Sequence, residues 1–368
     1  MRKDISSILI LFIIISGCAS RQSMHSDYYS VEVTPFSSNR YDEYSPVMYD
    51  NQIVFCSNRN DDLLIKHINE ENQENFNIYS IDIHDTTSWR KYEVFDKNLV
   101  SHFNDGPVTF DAGRQVMYYS RNINIDRKKN NIAGPNTLGI FSARKMYGHW
   151  TEIKTFPHNS LEYHNTTPSY DTLNDRLYFA STMPGGQGGS DLYYSERTEE
   201  GWSEPVNLGP VVNTEGNEVY PHITASGKLF FSSNGHGGLG KKDIFLTEKE
   251  DGEWIEPVHL NPPINSEDDD FALVTDHTFQ SGYFSSNRKR SDDIYRFSTQ
   301  RPQFYNCDSL EQDKYCFQFQ DESYPEIDSL SRFVWTFSDG AKINGKKVKH
   351  CFPGPGTYRG SSTMTPGP

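Results

Sequence analysis

Between residues 29 and 300 the chain alternates short apolar runs with clusters of Gly, Asn, Asp and Ser, and one order of residues keeps returning. The clearest copy starts at Tyr220 and Pro221. It passes through Leu229, Phe230 and Phe231 to Asn234, crosses a Gly-rich loop to Asp243, Ile244 and Phe245, and closes on Trp254, Pro257 and Leu260. Earlier copies begin at Pro168, Pro107 and Pro46, with Trp202, Trp150 and Trp89 in the closing position. A fifth, partial copy runs from Phe271 through Tyr283 and Arg288 to Asp293, Ile294 and Tyr295, and has no Trp. The proline positions 46, 107, 168 and 221 are spaced by 61, 61 and 53 residues, and Phe271 lies 50 further on. A period of this size predicts a repeat architecture of supersecondary units, each of four short strands. Gly in turns such as Asp111 to Arg114 and Ser226 to Lys228 suits hairpins, because it accepts positive φ.

The fifth copy lacks a fourth strand. Tyr29 to Asn39 resembles Glu256 to Asn265, so the N-terminal strand is expected to complete the last unit and leave no open edge. The expected fold is therefore all-β: a five-bladed β-propeller over residues 29–300, followed by a partial Ig-like sandwich. The combination of Ser-Asn-Arg, Asp-Ile-Tyr and Trp-x-x-Pro-x-x-Leu resembles WD40-like propeller repeats of the TolB type. That resemblance implies attachment to outer-membrane, type IX secretion or gliding machinery, where such repeats often stand beside an OmpA-like domain.

The two ends change the picture. Arg2 and Lys3 precede an unbroken apolar run from Ile8 to Ile15, which is shorter than the roughly 20 residues of a spanning helix and reads as a signal peptide over residues 1–17. Ile15, Ser16, Gly17 and Cys18 resemble the lipobox of bacterial lipoproteins, which implies cleavage before Cys18 and acylation of it. At about 0.8 kcal/mol per buried methylene, two or three acyl chains anchor firmly. Residues 18–28 are polar and aperiodic, as in a tether. Composition agrees with strands and turns: 14% of the 368 residues are aromatic, against 35% apolar overall. A net charge of −15 argues against nucleic acid and against peripheral attachment to anionic lipid.

After Pro302 the pattern becomes Phe317, Phe319, then Phe333 to Gly340, then His350, Phe352 and Tyr358. This resembles a PKD domain at residues 303–368, with Ser338 where the family usually has Gly. After Tyr358 the sequence is too polar for the further strand of that family, so the sandwich is expected to lack an edge strand and to be truncated. Cys316, Trp335 and Cys351 resemble the Cys-Trp-Cys order of Ig sandwiches, which implies a Cys316–Cys351 bridge between two sheets with Cys307 free. Against it, both cysteines alternate with aromatic residues. If those point inward the cysteines point outward, and Cys307–Cys316 becomes the alternative.

Candidate sites are few. The Gly-rich loops at residues 185–189 and 235–240 lack the following helix that a phosphate loop requires, and Asp191, Asp243 and Asp293 fit carboxylates that accept loop N–H groups. Glu43, Asn104, Asn165, Glu218 and Asp268 precede the first strand of each repeat at one position, with Asp105, Asp269 and Asp270 nearby. One reading is an anionic channel mouth for a cation such as Ca²⁺ or a basic segment. The preferred one is hydrogen bonding between blades to Arg59 and Arg288. The twelve His are scattered, with no metal-binding motif and no paired acids that stand out. The expectation is a non-catalytic, protein-binding scaffold without cofactor, lipid-anchored at the outer membrane and facing the periplasm. The alternatives are a glycan-binding module or a propeller glycosidase with acids on its inner strands.

Overall fold

A computed structural model of the chain describes residues 7–9, 29–59, 75–83, 92–101, 103–123, 125–126, 131–132, 137–276, 278–299, 316–320, 332–352 and 358–365. Cys18, the tether and Cys307 lie outside these residues. Contacts divide the chain into Met24–Arg301 and a second unit of Met1–Ser23 with Pro302–Pro368.

The first unit is an all-β propeller. Each repeat builds one antiparallel sheet. The innermost strands are Glu43–Tyr49, Asp105–Phe110, Asn165–Asp171, Glu218–Ile223 and Asp270–Thr275. Each touches the next, and the last touches the first, so the sheets close into a ring. The second strands carry the core. In a strand successive side chains point to opposite faces, and here both faces are buried. Ile53 and Phe55 pack towards the last sheet while Val54 packs towards the second. Likewise Phe230 faces the last sheet, and Leu229 and Phe231 face the third. This is why the second strands read as unbroken apolar runs rather than as alternating ones.

Tyr29–Val33 pairs antiparallel with Asp293–Thr299, from Tyr29 opposite Thr299 to Val33 opposite Tyr295. The N-terminal strand thus takes the outermost place in the sheet of the fifth repeat. Phe36, which follows it, packs with Phe55 and Ile294 in the cluster that joins the last sheet to the first.

Every innermost strand carries a bulge, and each bulge holds a residue at positive φ: Ser45, Gly106, Thr167, Tyr220 and Ala272. The N–H that leaves the ladder there goes to a neighbouring sheet. Ser45 N donates to Ser285 Oγ (2.9 Å), Thr167 N to Ser120 Oγ (3.0 Å), Tyr220 N to Thr167 Oγ1 (3.2 Å) and Ala272 N to Ser232 Oγ (3.3 Å). Between the first two sheets the buried free thiol of Cys56 stands in place of the serine. A Cβ at residue 106 would lie 2.3 Å from Cys56 Sγ, so glycine is required there.

In the second unit Arg332–Phe337 lies between Lys342–Asn344 and Gly360–Thr365, and Ser7–Leu9 pairs with the far side of Gly360–Thr365. The polar segment after Tyr358 is therefore a strand, contrary to expectation, in register from Phe337 opposite Gly360 to Arg332 opposite Thr365. The backbone of Arg332–Phe337 needs partners on both sides, and a partly exposed Ser/Thr strand supplies them without an apolar face. Cys316 and Cys351 are bonded, but not between two sheets. They face each other directly across the two-stranded pair Cys316–Gln320 and Lys347–Cys351. Cys351 is exposed, while Phe319, Val348 and Phe352 are buried with Trp335 and Phe337. The aromatics do point inward. Cysteines on the outer face still meet because they occupy opposed positions on adjacent strands.

Candidate functional site

The acidic positions that the repeat brings into register are fully buried pins rather than an open mouth. Glu43, Asp105, Asn165, Glu218 and Asp270 are each at most 1% exposed at the start of an innermost strand. Asp270, not Asp268, takes this place in the last sheet, and Asp105, not Asn104, takes it in the second. Their N–H groups donate to Lys242 O (2.8 Å) and Phe76 O (2.9 Å), as that of Glu43 does to Asp292 O (2.7 Å). Asp268 is exposed, and Asn104 Oδ1 accepts from Phe76 N at 3.1 Å. Leu273, not Phe271, stands at the proline position of the last repeat, and Pro107 follows its pin by two residues where the others follow by three.

Three of the pins are ion pairs: Glu43 with Arg59, Asp105 with Arg121 and Asp270 with Arg288. The same guanidinium groups hold the loop that enters the strand. Arg59 donates to Phe36 O (3.1 Å), Arg121 to Leu99 O (2.7 Å), and Arg288 to Pro263 O (2.9 Å) and Ile264 O (2.6 Å). Burial raises the carboxyls of Asp105 and Asp270, with their arginines pulling the other way. Glu43 is pushed up to about 7 by burial against Arg59. Glu218 has no arginine. It accepts from Thr214 N (2.8 Å), Thr214 Oγ1 (2.7 Å) and Ser233 Oγ (2.6 Å). Asn165 donates to His158 O at 2.9 Å. Asp191 and Asp243 accept N–H groups of their Gly-rich loops, from Gln187 (2.6 Å) and Leu239 (2.7 Å). Among the described residues, no group of three or more His, Cys, Asp or Glu is arranged to hold a metal ion.

The open space lies on the ring axis, and none of the eight candidate mouth residues lines it. Pro46, Pro107, Pro168, Pro221 and Leu273 form a waist of only about 40 Å³. Beyond it the channel widens into a funnel of about 520 Å³ at the end where the innermost strands finish. Five residues border both spaces, one from each sheet: Val47, Thr109, Ser169, His222 and Val274. Sequence reasoning passed over them. Their one signal was position, next or next but one after the repeat proline or Leu273. Towards the other end Tyr44, Tyr220 and Phe271 gather, with centroids 5.1 Å apart for Tyr220 and Phe271 and 6.4 Å for Tyr44 and Phe271. Asp292 is raised to about 6 by burial and by Asp42.

Burial pushes the His222 imidazole down from an ordinary 6.5 to about 4. The unfolded chain therefore takes up a proton that the folded one refuses. Above pH 6.5 the ring is neutral in both states and has no effect. As pH falls from 6.5 to 4, stability should drop, then level off. Across that window the wild type should lose roughly 2–4 kcal/mol more than His222→Gln. Urea unfolding at several pH values measures this, and parallel curves would refute it.

No protein-family model matches this chain. No curated protein matches it either. Solved structures do. A putative TolB from Agrobacterium tumefaciens is similar over 70% of this chain and 78% of its own, at 10% identity and a TM-score of 0.42. An α-L-arabinofuranosidase from Podospora anserina is similar over 75% of this chain and 97% of its own, at 10% identity and a TM-score of 0.44. A puromycin-hydrolysing peptidase from Mycobacterium tuberculosis is similar over 72% of this chain at 13% identity and a TM-score of 0.39. This chain spans 37% of that peptidase's length.

Proposed function

We propose that the chain is an outer-membrane lipoprotein, anchored through Cys18, whose five-bladed propeller is a non-catalytic protein-binding scaffold in the periplasm, within a secretion or envelope complex. One observation carries this. The carboxylates on the inner strands, where a propeller glycosidase would keep its acid and base, are saturated by arginines or by loop hydrogen bonds. A carboxylate so engaged is a poor proton carrier, since catalysis needs hydrogen-bond reach to the substrate. Five sheets, each sharing an apolar cluster with the next, support five blades. In the second unit Asp339 Oδ2 and His350 Nε2 lie 2.7 Å apart beside the buried Trp335 and Phe337, which supports the PKD-like reading. A glycan-binding module is the second reading, favoured by the aromatic cluster of Tyr44, Tyr220 and Phe271.

The anchor and the scaffold are tested together. Wild-type protein should fractionate with outer membrane, and Cys18→Ala should release it to the soluble periplasm. Crosslinking in intact envelopes should give discrete protein adducts that Cys18→Ala abolishes. Turnover of aryl glycosides that Glu218→Gln removes would overturn the non-catalytic reading.

A further inference from the structure

The place where the waist opens into the funnel is two-faced. Thr109, Ser169 and His222 stand on three consecutive sheets, and Val274 and Val47 on the remaining two. The polar arc has one chemistry. Thr109 Oγ1 accepts from Tyr170 N (3.0 Å), Ser169 Oγ from Ile223 N (3.1 Å), and His222 Nε2 from Thr275 N (3.4 Å). In each case the acceptor is used by the next sheet and the side chain keeps its own hydrogen to give. For His222, an accepting Nε2 means that Nδ1 carries the proton. Three neutral donors therefore stand side by side on one arc of a narrow junction, facing an apolar arc.

The waist offers about 40 Å³ against about 520 Å³ in the funnel, so the room narrows sharply at the junction and suits an end better than an internal segment. Its 520 Å³ lies within the roughly 300–1,000 Å³ of ordinary ligand sites. A group that fits must present acceptors to one side and hydrocarbon to the other within a few ångströms. The last residue of a polypeptide does this on a single carbon, with a carboxylate and a side chain. A sugar carries hydroxyls around its whole edge and would leave some of them unpaired against Val47 and Val274.

We infer that the funnel holds the carboxyl-terminal end of a partner polypeptide whose last residue is apolar, its carboxylate accepting from Thr109 Oγ1, Ser169 Oγ and His222 Nδ1. This rests on the protein-binding reading and names the part of the partner that the ring takes. No bond is made or broken.

The test is calorimetric titration of the lipid-free full chain with N-acetyl-Gly-Gly-Leu as free acid and as C-terminal amide. The acid should bind and the amide should bind at least tenfold more weakly. Thr109→Val should weaken the acid roughly tenfold, and Thr109→Ser, which keeps the donor, should not. The wild-type comparison of acid with amide stands even if a variant folds poorly. The ¹⁵N resonance of His222 Nδ1 should move on adding the acid. Equal binding of acid and amide, no binding of either at millimolar concentration, or displacement by a neutral oligosaccharide would each overturn the inference. If envelope adducts form while the peptide acid fails, the scaffold survives and the funnel assignment falls.

Discussion

Deleting residues 29–38 should cost the propeller more than any single substitution, on the order of 5 kcal/mol or more. Tyr29 is 8% exposed and packs on Phe297 and Phe279, and Val31 and Val33 join the same cluster. Phe36 lies between the last and first sheets, and its carbonyl accepts from Arg59. Burying one such side chain is worth roughly 1.5–3 kcal/mol. The deletion also strips the backbone partners from Asp293–Thr299 and turns a closed ring into one with an open edge. The expected result is a lower urea midpoint, a broader transition and concentration-dependent association. Unchanged cooperativity would mean that the ring is not held closed by this strand. A milder version, Val31→Asp with Val33→Asp, keeps the chain length and should move the midpoint the same way.

Arg59→Ala is expected to lower stability by about 3–5 kcal/mol, the range for removing one partner of a buried ion pair. Arg59 is 1% exposed and Glu43 is not exposed at all. The guanidinium also lies 3.7 Å from the centre of the Tyr92 ring and holds the loop at Phe36. Without it, Glu43 has no charge to oppose its burial and is driven further towards its protonated form, so the loss should be greatest at high pH. The double variant Glu43→Leu with Arg59→Met should be less damaging than Arg59→Ala, because it leaves no unpaired charge. Chemical denaturation of the three proteins at pH 6 and pH 8 decides this. A loss below 1 kcal/mol for Arg59→Ala would mean that water reaches Glu43.

Much of the fold was written in the order of residues. A recurring Pro, aromatic pair, Ser-Asn-Arg and Trp specify one supersecondary unit, because short apolar runs bounded by Gly, Asn and Asp have few other ways to bury themselves. The missing fourth strand of the last copy and the spare strand at Tyr29 were legible for the same reason: an open edge is a cost that the chain itself can remove. What needed the tertiary structure was anything that depends on register or on which side a residue faces. In the last repeat Leu273 rather than Phe271 holds the proline position, so the carboxylate of the last sheet, three residues before it, is Asp270 rather than Asp268. Those positions read as an open mouth or, by preference, as partners of Arg59 and Arg288 between blades; the arginine pairs do form, but each within its own sheet. Only the packed ring adds Arg121 and shows that each arginine turns back to the carboxylate of its own sheet. The bridge between Cys316 and Cys351 followed from pairing on adjacent strands, not from the two-sheet analogy. The junction of Val47, Thr109, Ser169, His222 and Val274 was the least legible of all. Its members have four residue types among five positions, and a site built from one side chain per sheet exists only once the ring has closed.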